Sequence, residues 1–169
     1  MGEREGVSIR PAEINDLEAM THLYNHFVEA TSVTFDIETF TTEERESWFA
    51  QFNQTGPHQL FLAECEGVLA GYAGSMTHRA KPAYNISVET TIYVGERFAR
   101  MGIGHRLYQR LFTALEKEDL RSIFAAVTLP NDASIRFHKS HGFTEIGTFH
   151  EIGRKFGLYH DVMWFERRI

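Results

Sequence analysis

The stretch from Glu89 to Phe143 most constrains what this chain can fold into. Ile86 to Val94 reads as a strand. Arg100-Met101-Gly102-Ile103-Gly104-His105 follows as a glycine turn, opening a helix marked by Leu107, Leu111 and Leu115. Ser122 to Leu129 is nearly all apolar, the pattern of a strand covered on both faces. Asn131 then opens a short second helix over Asp132 to Ser140, with Gly142 as its C′ residue. Two strands joined by one helix run parallel with a right-handed crossover. Ligands of open α/β sheets sit beyond the carboxyl ends of such strands. The pattern therefore predicts one crevice between Val94, the glycine turn and Leu129-Pro130-Asn131.

The glycine turn has its own chemistry. Glycines let the backbone turn tightly and approach a ligand. The N–H groups and dipole at a helix start favour a diphosphate. Arg97, Arg100 and His105 add positive charge there. A dinucleotide fingerprint would need a third glycine where this chain has Leu107, and the Gly-Lys-Ser/Thr phosphate loop is also absent.

The flanking segments supply more strands and two further helices. Val7 to Arg10 alternates as a short strand ended by Pro11. Asn15-Asp16 offers a cap to a helix running to about Ala30, with Leu17, Met20, Leu23, Tyr24, Phe27 and Val28 at helical spacing. Thr41-Thr-Glu-Glu44 has capping-box spacing before Trp48, Phe49 and Phe52, and Gly56-Pro57 stops that helix. Gln59–Cys65 and Val68–Met76 flank a tight Glu66-Gly67 turn as a hairpin. Thr77 to Asn85 is a polar loop. Phe143–Ile152 and Leu158–Phe165 read as two closing strands.

At 169 residues, without linkers or repeats, one domain over 1–169 is expected. Net charge is −6, which disfavours broad nucleic-acid or anionic-membrane binding. No apolar run approaches the ~18 residues of a membrane span, and Met1 to Gly6 lacks a signal-peptide core. The single cysteine, Cys65, cannot form an internal disulfide and reads as a small buried hydrophobe, pointing to a reducing, cytoplasmic setting. His22 and His26 stand four apart on a helix without further ligands nearby, so they read as solvent-facing and no metal site is expected.

The glycine turn, the following helix and strand, and Asn131 opening the next helix resemble the GNAT acetyltransferase superfamily across nearly the whole chain. The family carries Gln or Arg where this chain has Ala99. Within the superfamily, four segments resemble the phosphinothricin and methionine-sulfone type N-acetyltransferases. They are Thr31-Ser-Val-Thr-Phe35, Val88-Glu89-Thr-Thr-Ile-Tyr93-Val94, Leu129-Pro-Asn-Asp-Ala-Ser134-Ile-Arg-Phe-His138, and Tyr159-His160-Asp161-Val162. The resemblance implies an α/β GNAT fold: a mixed, mostly antiparallel central sheet with a parallel, splayed strand pair and helices on both faces. It implies acetyl-CoA as cosubstrate, held by Ile92, Tyr93, Val94, the Arg100-Met101-Gly102-Ile103-Gly104-His105 turn, Asn131 and Ser134. It further implies a small amine acceptor and a homodimer.

The resemblance then implies Glu89 as the general base for the acceptor amine; on residues alone a surface acid at a strand start is the favoured reading. His138 is either a proton donor to the departing thiolate, a holder of the cofactor, or a packing histidine. Phe35, Arg79, Lys81, Tyr84 and His160 are the candidate acceptor contacts, with a solvated loop the other reading for Arg79 to Tyr84. The implied reaction is N-acetylation of an amino-acid analogue by direct attack, without an acyl-enzyme. A related enzyme for another amino acid, polyamine or peptide amine is the alternative, and a non-catalytic acetyl-CoA sensor is a further one.

Overall fold

The computed structural model describes residues 6–169; the reading of Met1 to Glu5 lies outside them. In chain order the elements are β1 (Val7–Pro11), α1 (Leu17–Ala30), α2 (Glu46–Phe49), β2 (Leu60–Cys65), β3 (Val68–Thr77) and β4 (Ser87–Val94). They continue with α3 (Ile103–Leu115), β5 (Ser122–Thr128), α4 (Asp132–Ser140), β6 (Thr144–Lys155) and β7 (Leu158–Arg168). The strands form one seven-stranded sheet in the order β1-β2-β3-β4-β5-β7-β6. Every pairing is antiparallel except β4 with β5.

That exception opens the molecule. β4 and β5 pair only through Ser87↔Ser122, Val88↔Ile123 and Glu89↔Phe124. Beyond that rung the outer edge of β4 stays bonded to β3 as far as Val94, and the outer edge of β5 stays bonded to β7 as far as Thr128. Each strand is thus held from outside while the inner edges part. Backbone N–H and C=O groups on those edges lack a strand partner and are open to a ligand or solvent.

Period-2 alternation in β2 sorts its residues between two cores. Phe61 and Ala63 face Leu107, Leu111, Phe112 and Leu115 of α3, in a cluster that also takes Val88, Ile123, Val127 and Phe165. Leu60 and Leu62 face Met20 of α1, with Tyr72, Trp48, Phe49 and Phe52. Helices therefore cover both faces, as expected. Cys65 is a free thiol packed against the larger cluster.

Local chemistry explains the turns and the differences from expectation. Glu66-Gly67 and Phe156-Gly157 each have positive φ at both residues, the type I′ geometry that matches strand twist. The second turn carries the closing hairpin further than the apolar pattern does, to Lys155 and Arg168. Asp16 does not cap α1 with its side chain; its carboxylate accepts from Glu13 N at 2.7 Å and Arg10 Nη2 at 2.7 Å. The capping box forms, with Thr41 N donating to Glu44 Oε2 (2.8 Å) and Glu44 N to Thr41 Oγ1 (3.2 Å). It yields only a short helix because Gln51 and Phe52 close i→i+3 bonds that swing Phe52 onto Trp48, at 5.0 Å between rings. Among the described residues no helix is long and apolar enough to cross a membrane.

Candidate active site

The parted strands line a cleft of about 990 Å³. Glu89 to Val94 of β4 form one wall and Ala126 to Thr128 of β5 the other. Ala99, Arg100 and Gly102 to His105 close one end, and Asn131, Ser134, Phe137 and His138 of α4 lie across from them. The crevice expected between Val94, the glycine turn and Asn131 is therefore present.

The glycine turn is shaped for an anion. Gly102 is the N-cap of α3 at φ 80°, a left-handed conformation that costs glycine little. Arg100 also has positive φ, at 63°. Arg106 N bonds Gly102 O at 3.1 Å, so the N–H groups of Ile103, Gly104 and His105 precede the first intrahelical bond. With the helix dipole behind them they are an end that favours an anion. Ile92, Tyr93, Val94, Arg100, Gly102, Ile103, Gly104, His105, Asn131 and Ser134 all line the cleft; Met101 instead packs on the main core. Asn131 Oδ1 caps α4 by accepting from Ser134 N at 3.1 Å, which leaves its amide N–H free for another partner.

Glu89 lines the same cleft. Burial pushes its carboxyl above the usual range, and Arg79 opposes that rise. His78 Nδ1 stands 3.5 Å from Glu89 Oε2 without a formed hydrogen bond. Burial, and then Arg79, hold the His78 ring towards its neutral form. The ring stacks on Phe124 at 4.3 Å. The sequence offers only a histidine in a polar loop here, so nothing singled His78 out.

His138 is buried, with both ring nitrogens bound. Nδ1 lies 2.8 Å from Ser134 O and Nε2 3.0 Å from Tyr108 Oη. A carbonyl only accepts, so Nδ1 carries a proton; in the neutral ring Nε2 then accepts from the tyrosine hydroxyl. Burial lowers its pKa in agreement. Thr90 Oγ1 follows at 3.2 Å from Tyr108 Oη. Sequence reasoning missed Tyr108 and Thr90. The available signal was a tyrosine in the inward stripe of α3, where a buried hydroxyl needs a partner.

Some of the residues expected to meet an acceptor lie on the other face of β4. Glu89, Thr91 and Tyr93 share that face by strand alternation, with Met76 opposite Glu89 and Tyr72 opposite Tyr93. Phe35 lines this part of the cleft. Its loop is clamped: Tyr24 Oη bonds Thr34 Oγ1 at 2.7 Å and donates to Asp36, while Lys155 Nζ donates to Thr34 O at 2.9 Å. The ring sits on Gly153, where an added Cβ would lie 2.1 Å from Phe35 Cε2. His160 is buried behind Phe35, 6.1 Å between rings, and lies outside the cleft lining. Arg79 lines a second cavity of about 320 Å³ with His78, Phe149 and Trp164. Lys81 and Tyr84 line neither cavity. Among the described residues no cluster of three or more His, Cys, Asp or Glu could hold a metal ion.

Comparison with known proteins gives this geometry a family. Residues 9–164 match the model of the acetyltransferase (GNAT) domain. The chain is 49% identical over 164 residues to a phosphinothricin N-acetyltransferase of Streptomyces coelicolor, covering 95% of each chain. It is 29% identical to an L-methionine sulfoximine/L-methionine sulfone acetyltransferase of Salmonella typhimurium, covering 96% of this chain and 95% of that one. The solved structure of a GNAT superfamily phosphinothricin acetyltransferase from Sinorhizobium meliloti, in complex with AcCoA, superposes with a TM-score of 0.91. The two are 25% identical, over 97% of this chain and 89% of that one. A splayed parallel pair with a helix N-terminus at its mouth, and a family match over nearly the whole chain, together show that this protein belongs to the GNAT acetyltransferases.

Proposed function

We propose that the protein transfers acetyl from acetyl-CoA to the primary amine of a small amino-acid analogue of the phosphinothricin, methionine sulfoximine or methionine sulfone type. The observation that carries this is the parted β4–β5 pair, with an anion-binding helix end on one side and Glu89 on the other. The relatives named above act on acceptors of this kind.

The diphosphate of the cosubstrate is held by the N–H groups of Ile103, Gly104 and His105, with Arg100 beside them. Its pantetheine arm follows the inner edge of β4 at Ile92, Tyr93 and Val94, taking the backbone bonds that β5 leaves unmade, and the Asn131 amide donates to it. A β4 backbone N–H polarises the thioester carbonyl as negative charge develops there. Glu89 takes a proton from the acceptor ammonium, directly or through one water; its raised pKa improves the match to this task. The amine nitrogen forms a bond to the acetyl carbon and the C–S bond breaks; the second amine proton passes to the departing thiolate, directly or through water, leaving the amide and CoA thiol. Cys65 lies on β2, outside the cleft, which supports direct transfer. His138 enters neutral with its Nε2 lone pair turned to Tyr108, so we assign it the holding of the thioester end rather than proton delivery.

We assign the whole chain, 1–169, to one domain acting in the cytoplasm. Exposed Ile146, Phe149, Ile152, Phe156, Leu158 and Tyr159 on the β6–β7 hairpin support a homodimer formed through that hairpin. The test of activity is release of free thiol from acetyl-CoA with a panel of amino-acid analogues. Turnover with phosphinothricin or methionine sulfone is expected; tight CoA binding without turnover of any amine would favour the sensor and overturn the reading.

A further inference from the structure

Arg45 is the unexplained cation of the cleft. Its residue is 5% exposed, yet it lines the cleft wall. The guanidinium carbon lies over two rings, 4.3 Å from the Tyr24 centroid and 3.9 Å from that of Trp48. Stacking satisfies its faces and leaves its N–H edge unmatched. Nη1 is buried without a hydrogen-bond partner, and among the described residues Arg45 makes no salt bridge. A second buried polar atom, Tyr72 Oη, stands beside the guanidinium without a formed hydrogen bond and also lines the cleft. The nearby acids are committed elsewhere: Glu44 accepts from Thr41 N, and Asp36 from Tyr24. Unpaired buried donors cost about 1–3 kcal/mol each, so two at one spot mark a place where an oxygen acceptor is due.

Strand register says where this spot lies. Tyr72 pairs with Tyr93 and Met76 with Glu89, so Tyr72 and Glu89 share the acceptor face. From Glu89 to Tyr93 is about 13 Å along the strand. The Glu89 side chain, an amine and a short side chain together span that interval. Arg79, by contrast, stands at the Glu89 end and shifts the Glu89 carboxyl electrostatically. A zwitterionic acceptor with its amine and carboxylate at the Glu89–Arg79 end therefore points its side-chain terminus towards Arg45 and Tyr72.

We propose that Arg45 and the Tyr72 hydroxyl form an oxo-group subsite that selects acceptors bearing a phosphinate, sulfone, sulfoximine or carboxylate oxygen at the end of the side chain. The proposal rests on the acceptor side assigned above. A planar, already stacked guanidinium can meet such oxygens with little loss of side-chain freedom. An acceptor with an apolar terminus leaves both groups unpaired and is rejected, as a polar site rejects an analogue that lacks the matching atom.

Two measurements test this. The chain has two tryptophans, so a Trp164→Phe background leaves Trp48, stacked on Arg45, as the fluorescent reporter. Titration with methylphosphinate alone should give a saturable change that Arg45→Met abolishes and Arg45→Lys, which keeps the charge, weakens about tenfold. No saturable change, or an unaltered one in Arg45→Met, would overturn the subsite. With acetyl-CoA present, the ratio of kcat/KM for methionine sulfone over norleucine should fall about 10- to 100-fold in Arg45→Lys, mainly through KM. Equal losses for both acceptors would reduce Arg45 to a structural stacker and overturn it as well. A protein that turns over neither acceptor but still binds methylphosphinate through Arg45 would refute the proposed reaction while leaving the subsite standing.

Discussion

The substitution Gly153→Ala tests whether the Phe35 loop is held by the closing hairpin. The added Cβ would lie 2.1 Å from Phe35 Cε2, 2.5 Å from Cζ and 2.6 Å from Cδ2. Ordinary carbon contacts begin at about 3.5 Å, so ring and strand must separate by about 1.4 Å. Lys155 Nζ bonded to Thr34 O restrains the loop from sliding along the hairpin, and Tyr24 restrains it from the α1 side. The displacement is therefore taken up towards the cleft that Phe35 lines. A shift of about 1 Å in a positioning element costs up to about 100-fold in rate, so kcat/KM for the acceptor should fall by about 10- to 100-fold. Overpacking of this kind costs about 1–3 kcal/mol of stability, so the fold should survive. The assay is thiol release at varied acceptor, with CoA affinity measured separately and expected to be unchanged. Adding Phe35→Leu removes the clashing ring, so the double variant should be no worse than Phe35→Leu alone, a non-additivity that a double-mutant cycle reads. Full activity in Gly153→Ala, or strictly additive losses, would refute the clamp.

Glu89→Gln should lower kcat by about 10²- to 10⁴-fold near neutral pH, with loss of the acidic limb of the pH–rate profile. Because burial raises the Glu89 pKa, its contribution to folding is favourable at low pH and is lost as pH rises through that value. The Gln variant should therefore melt higher than the parent at pH 7 and not at pH 4. The His138 pKa is lowered, so its contribution is present above the ordinary histidine value of 6.5 and is lost as pH falls through the folded value. Removing the hydroxyl with Tyr108→Phe takes away the bond to neutral Nε2 and should move the imidazole titration, followed by NMR, upward; an unmoved midpoint would contradict the assigned tautomer. Phe149→Asp combined with Phe156→Asp should convert the proposed dimer to a monomer in sedimentation, whereas an unchanged mass would relocate or abolish the interface.

Legibility from sequence followed the distance over which each feature is encoded. The glycine turn, α3, α4 and the Glu66-Gly67 hairpin depend on residues a few positions apart, and their spacing is enough to read them. The parting of β4 from β5 was implied only by the resemblance, because it arises from how β3 and β7 hold the outer edges. Side-chain partnerships across the fold were silent: Thr34 meets Lys155 across 121 positions and Tyr108 meets His138 across 30. For the same reason Lys81 and Tyr84, placed with the acceptor by likeness of a loop, stand outside both cavities, while Arg45, a charge within a helical segment, stands inside one.

The gap between β4 and β5 also makes the protein an incomplete sheet. Two strand edges lie inside the molecule rather than at its border, each bonded on one side only beyond Glu89 and Phe124. Unpaired edges invite pairing with another chain; in the proposed binding mode the pantetheine arm takes that place, completing the ladder as an added strand would. The cosubstrate then acts as a removable structural element. At a concentration of about 100 times its Kd, it would add about 2.7 kcal/mol to folding stability. The melting temperature of the folded chain should therefore rise with acetyl-CoA concentration.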